Sequence, residues 1–314
     1  MKHGLPDLDT AIASSDQFAH HGIDWSRIRC STYLIHQHLH YDYPGPIHDL
    51  EQHLIILPPH RYGNQHLLDH RLTVTNPAVE TVYRTDSFGN TEIVLFVPYV
   101  EKAIDFEAWI LIERHAEQHP LHVACASSIA QSFLQPSRLT QPDDALREAA
   151  HMLQDSGRQG LALAQHINEW VYDTMHYTHD ATDIHTTAAQ ALACKRGVCQ
   201  DYAHIMLTLC RLCAIPARYI SGHLLGEGGT HAWVEVLVSD QNHPDMLLAI
   251  PLDPTHGRPA DMGYLTIAVG SDYFDVAPTS GTFRAAYSGQ LSAHKTVGLS
   301  TYEYADTIKL EEAN

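Results

Sequence analysis

Nowhere in this 314-residue chain do eighteen apolar residues run together, so a membrane-spanning helix is not expected. The first 24 residues carry Asp7, Asp9 and Asp16 and lack an apolar core of secretory length. Export by a cleaved signal is therefore not expected either. Basic residues are scarce, with 19 Lys and Arg against 37 Asp and Glu and a formal net charge of −18. No basic run forms the stripe that collects phosphates, which argues against nucleic acid as a partner. The six cysteines, at 30, 125, 194, 199, 210 and 213, show no regular disulfide framework. A reducing, cytoplasmic setting is the expectation. Low-complexity tracts and internal repeats are also absent, and 44% hydrophobic against 18% charged residues is a globular composition.

Histidine is plentiful, at 25 residues, so net charge and solubility should change near pH 6. From Cys30 to about residue 133 the pattern has period two. Tyr33, Ile35, Leu39, Tyr41 and Tyr43 mark one strand face, and His36, His38 and His40 the other. Further strands are expected over residues 67–75, 81–84, 92–97 and 107–114, with Asp86-Ser87-Phe88-Gly89-Asn90 as a turn. The three alternate histidines could face a metal together, but they read as a solvated strand face, and no metal is expected.

Periodicity stops at Gln135-Pro136-Ser137-Arg138-Leu139-Thr140-Gln141-Pro142, the expected domain boundary. Helical spacing begins after Asp143 and continues through residues 159–177. A short Ala-rich helix over 186–193 precedes the turn at Lys195-Arg196-Gly197. The segment 200–213 is almost uncharged and reads as a buried helix. Strands are expected at 218–224, 231–238 and 246–252, with a last one over 285–301.

In Gly197-Val198-Cys199-Gln200-Asp201-Tyr202-Ala203 a small turn delivers Cys199 to a helix start. Free N–H groups and the positive end of the helix dipole favour a thiolate there. Cys199 is the candidate nucleophile, while Cys194, Cys210 and Cys213 lack this setting and read as core residues. His231, 32 residues on in the strand Thr230-His231-Ala232-Trp233-Val234-Glu235-Val236, can take and return a proton. Asp253, 22 residues further in Leu252-Asp253-Pro254-Thr255, can orient that imidazole. Asp201 reads as an anchor for the loop around the cysteine, held by Arg218 or by backbone N–H groups, and Glu235 as structural.

These blocks, G-x-C-x-D, H-A-W-x-E and D-P-T, together with Ile215-Pro216-Ala217-Arg218-Tyr219-Ile220-Ser221-Gly222, resemble the core pattern of the transglutaminase-like superfamily over roughly residues 165–257. The Asp86–Asn90 turn and the Tyr-rich strand resemble the small β domain that precedes the catalytic domain in bacterial members. The resemblance implies an α+β fold with a papain-like core, the helix carrying Cys199 packed on an antiparallel sheet. The expected organisation is an N-terminal extension over 1–28, an antiparallel β domain over 29–135, a linker over 136–145 and a catalytic domain over 146–314. It implies thiol-dependent acyl transfer on a peptide or isopeptide-type amide through an acyl-enzyme, hydrolytic in the manner of cysteine peptidases, without cofactor or metal. The alternatives are transfer to an amine, or a peptide-binding module that keeps the fold without catalysis. It also implies an aromatic oxyanion donor before the nucleophile, for which Tyr177 is the candidate, with Gln200 as a further oxyanion or substrate contact. Gln190 and His223 depart from the family pattern, which has an acid and a tyrosine at these places.

Overall fold

The computed structural model describes residues 7–14, 23–76, 78–116, 121–124 and 128–305. Half of the expected N-terminal extension and Cys125 lie outside the described residues. A short helix, α1 (Leu8–Ala13), is capped by the Asp7 side chain and packs Leu8 and Ala11 on Leu34 and Leu111. Eight strands follow: β1 (Ile28–Asp42), β2 (Ile47–Leu57), β3 (Arg61–Tyr62), β4 (Gln65–Val74), β5 (Glu80–Thr85), β6 (Thr91–Val100), β7 (Ala103–His115) and β8 (His122–Ala124). The helices α2 (Ser128–Ser132), α3 (Asp144–Gln154) and α4 (Gly160–Thr174) lead to β9 (His176–Tyr177), α5 (Ala188–Cys194), β10 (Arg196–Gly197) and α6 (Cys199–Leu212). The described residues continue with β11 (Ala217–Leu224), β12 (His231–Ser239), β13 (Met246–Asp253), β14 (Arg258–Pro259), β15 (Tyr264–Gly270), β16 (Thr279–Arg284) and β17 (Gln290–Tyr304).

Strand β2 escapes the sequence pattern for a physical reason. Asp49 sits at φ 51°, where the register of β2 against β16 shifts, and the buried Ile47, Leu50 and Leu54 fall three and four apart, as in a helix. The expected strands in this region are all present, and Asp86 accepts from the N–H groups of Phe88 and Asn90 to form the turn.

Two sheets form the N-terminal layers, β17-β1-β7-β4-β3 and β16-β2-β6-β5, and a third has the order β14-β13-β12-β11-β15 with β8 on β13. Helix α6 packs on β11 and β12 on one side and against α3, α4 and α5 on the others, and Ala203, Ile205, Met206, Leu207 and Leu209 are fully buried in one core with Ala217, Val234 and Val236. Burial of these side chains from both sides is the main force that holds the helix to the sheet. Residues 200–211 are buried all round, as the uncharged pattern requires.

The layers exchange strands across the expected boundary. β17 pairs with β1 along its length, from Ile28 opposite Tyr304 to Asp42 opposite Gln290, and β16 pairs with β2, so the last strands of the expected catalytic segment complete the N-terminal sheets. In the other direction β8 adds to the third sheet through β13. The segment expected as a linker is pinned to α6, where Arg211 donates to the Phe133 carbonyl at 3.1 Å and to the Thr140 hydroxyl at 2.7 Å. Two side-chain amides complete the open edge of β15: Asn90 exchanges hydrogen bonds with Val269 (2.7 and 2.8 Å) and Gln65 with Thr266 (2.7 and 2.9 Å). Cys210 and Cys213 are buried as expected, but Cys194 is exposed, because it ends a seven-residue helix whose buried face is carried by Ala188, Ala191 and Leu192. Among the described residues, no helix is long and apolar enough to cross a membrane.

Candidate active site

The turn before α6 is built around Asp201. Its carboxylate accepts from the Val198 N–H at 2.8 Å and from the Thr182 hydroxyl at 2.6 Å, closing the helix start from within the first turn. Burial raises its pKa, against the pull of those hydrogen bonds. Gly197 is required here because a Cβ would collide with the Asp201 carboxylate. Arg218, one of the two expected partners of Asp201, lies elsewhere: it forms a buried pair with Glu235 at 2.7 Å, and Tyr62 donates to the same carboxylate. That cluster ties β3 to the third sheet.

Cys199 is thus the first residue of α6, half-buried, in the lining of a cavity of about 440 Å³. β12 begins at His231 and brings its imidazole to the same cavity. His231 Nε2 is 2.8 Å from Asp253 Oδ2, at the end of β13, which leaves Nδ1 as the nitrogen not engaged by Asp253. Burial works to lower the His231 pKa, but hydrogen bonds to Asp253 and to the Cys199 side chain outweigh it and raise it to about 10. The structure therefore brings Cys199, His231 and Asp253 together, although 54 residues of chain separate the outer two.

Asp253 is fully buried and has more partners than its sequence block suggests. Its Oδ1 accepts from the Thr255 N–H at 2.8 Å. Its Oδ2 receives His231, His256 Nδ1 at 2.7 Å and the Tyr264 hydroxyl at 2.7 Å. Burial opposes ionisation, yet the bonds from His231 and His256 hold this carboxyl well below the ordinary range. Glu227, in the glycine-rich loop between β11 and β12, faces both imidazoles, 3.5 Å from His231 and 3.4 Å from His256. His256 was visible as the residue following Asp253-Pro254-Thr255, but Tyr264 and Glu227 have no signal of their own in the sequence.

Tyr177 and Gln200 line the cavity that holds Cys199. Tyr177 is half exposed, with its ring edge-on to His179, and burial followed by the nearby Cys199 and Glu227 raises its pKa to about 12, so it keeps its proton. Gln200 is buried and its amide donates to the Ile184 carbonyl at 3.4 Å, which fastens the cavity rim. The alternate histidines of β1 have carboxylate partners on β7: His36 meets Glu107 at 2.9 Å, and His38 and His40 share Asp105 at 2.8 and 2.7 Å. Among the described residues, three other groups bring potential metal ligands within 4.8 Å of one another: Cys30 with Glu113 and His115, His122 with Asp240 and His243, and His231 with Asp253 and His256.

Two family profiles match in chain order. Residues 33–113 match the bacterial transglutaminase-like N-terminal region, and residues 147–244 match the transglutaminase-like superfamily. An uncharacterized protein of Mycobacterium tuberculosis is 25% identical over 253 residues, covering 72% of this chain and 79% of that protein. An uncharacterized protein of Mycobacterium leprae is 34% identical over 124 residues, covering 36% of this chain and 42% of that protein. Among solved structures, a candidate cysteine protease from Cytophaga hutchinsonii superposes with a TM-score of 0.72 at 22% identity, covering 88% of this chain and 93% of that chain. That likeness shows the same α+β fold. Residues 33–113 and 147–244 thus match the two regions of transglutaminase-like proteins in chain order, within a fold shared with that solved structure.

Proposed function

We propose that this protein is a cysteine-dependent amidase that hydrolyses a peptide or isopeptide-type amide through an acyl-enzyme. The observation that carries the reading is that Cys199 and His231 line one cavity while the buried Asp253 holds the His231 imidazole from behind at 2.8 Å. His231 accepts the thiol proton, and the Cys199 sulfur attacks the amide carbon. The oxygen of the tetrahedral intermediate meets the backbone N–H of Cys199 at the start of α6 and the Tyr177 hydroxyl. His231 returns the proton to the leaving nitrogen as the C–N bond breaks. Water, deprotonated by the same imidazole, then cleaves the thioester and releases the acid. Asp253 stabilises the imidazolium and fixes the ring. None of these steps calls for a cofactor. The proposed setting is a reducing cytoplasm, consistent with five free cysteines among the described residues.

The test is incubation of the protein with a peptide library, with and without a primary amine, with products identified by mass spectrometry. Cleavage that disappears in Cys199→Ala supports hydrolysis. Amine incorporation in place of cleavage replaces water by an amine as acceptor, and no product under either condition overturns the enzymatic reading.

A further inference from the structure

One wall of the cavity beside Cys199 comes from outside the family's catalytic blocks. β17 contributes Leu291, Ala293 and Lys295, alternate residues on one strand face, and β1 contributes Leu39, which lies opposite Ala293 in the register. Lys295 is half-buried, and no carboxylate lines this cavity. Among the described residues no ion pair or hydrogen bond holds its ammonium, and burial alone lowers its pKa, to about 8. The titratable groups facing the same space are Tyr177, His179, Cys199, Tyr219, His231 and Tyr273. Behind the wall, His223 is fully buried; burial, and then the Lys295 charge, lower its pKa to about 3 and keep it neutral. Glu227, the nearby exposed acid, lines the adjoining cavity with His256. An ammonium drawn out of water without an anion is costly, and a ligand that supplies the anion offsets that cost.

We propose that Lys295 forms a carboxylate-binding subsite beside Cys199, so that the acyl donor carries a free carboxylate on the side that faces β17. The proposal rests on Cys199 being the nucleophile and adds the substrate class. Two sources share this chemistry: the α-carboxylate of a glutamyl or aspartyl residue linked through its side chain, and the side-chain carboxylate of an acidic residue in an ordinary peptide.

The test uses the full chain and two alkylating probes of equal size, iodoacetate and iodoacetamide, with modification at Cys199 followed by peptide mass spectrometry. Both need the thiolate, so the ratio of their rates cancels the ionisation of Cys199 and reports the charge of the cleft. In Lys295→Met the iodoacetate-to-iodoacetamide ratio should fall about fivefold, as expected for one unit charge removed several ångströms away in a partly solvated cleft. Lys295→Arg should keep the ratio. In the unmodified chain the ratio should fall as pH rises through about 8, a readout that needs no variant. A ratio that is the same in Lys295→Met and flat across that pH range overturns the subsite. If iodoacetamide modifies Cys199 no faster than the exposed Cys194, the nucleophile reading fails instead, and the subsite with it. Two competitors separate the sources: γ-glutamyl methylamide presents an α-carboxylate, and N-acetylglutamic acid α-methylamide presents a side-chain one. Slowing of alkylation by one of them, lost in Lys295→Met, assigns the source; slowing by neither overturns a role in substrate binding.

Discussion

Replacing Asp253 by Asn removes one charge and leaves the packing almost unchanged, so it isolates what the carboxylate does for His231. Three donors converge on Oδ2 and the Thr255 N–H meets Oδ1, so a carboxamide must turn its NH₂ toward a donor in either orientation. The charge-assisted bond from His231 contributes about 1.5–3 kcal/mol, which corresponds to roughly one to two pKa units at 1.36 kcal/mol each. His231, at about 10 in the intact protein, should therefore titrate lower by that amount in Asp253→Asn. The imidazole can be followed by NMR of its Hε1 and Cε1, assigned by its disappearance in His231→Gln. In parallel, the rate of Cys199 modification by iodoacetamide at pH 6 should drop about tenfold or more, since a weaker base holds the thiol proton less often. The physical account is refuted if His231 titrates near 6.5 in the intact protein, or if Asp253→Asn leaves its titration in place.

Stability should follow the same pair. His231 is raised on folding, so its contribution is complete below its unfolded value of about 6.5 and is lost as pH rises through about 10. Asp253 is lowered, so its contribution is present above about 4 and lost as pH falls through the acid range. The melting temperature should thus decline at both ends, and more weakly in Asp253→Asn; equal slopes in the two proteins would contradict the linkage. Arg218→Met leaves Glu235 buried with only Tyr62 as donor and should cost about 3–5 kcal/mol in urea unfolding; a loss under 1 kcal/mol would show that water reaches the carboxylate. Gly197→Ala should displace Asp201, lower stability by about 1–3 kcal/mol and slow Cys199 modification, and unchanged alkylation kinetics would argue against a tight turn.

The residues that the proposed chemistry uses were legible because each sits in a short block whose local geometry follows from covalent spacing. A turn that needs Gly197, a helix start at Cys199 and a strand at His231 are decided within a few residues. Less was legible where two distant segments meet. The expectation of a last strand over 285–301 could not say that its partner is β1, because a strand's own pattern reports which face is buried and not which edge is paired. Arg218 found Glu235 rather than Asp201 for a related reason: the two are register partners on adjacent strands, β11 and β12, a relation that only pairing creates.

The sequence by itself determined the β-rich first part, the buried helix that presents Cys199, and the three side chains that the proposed chemistry uses. Only the tertiary structure decided which residues surround them: His256 and Tyr264 on the Asp253 carboxylate, Glu227 over the imidazoles, and Lys295 in the cleft wall. The division is physical. Local conformation depends on torsional preference and hydrophobic period over a single turn or strand, whereas the neighbours of a buried charge depend on how whole sheets pack, and packing is a property of the complete chain.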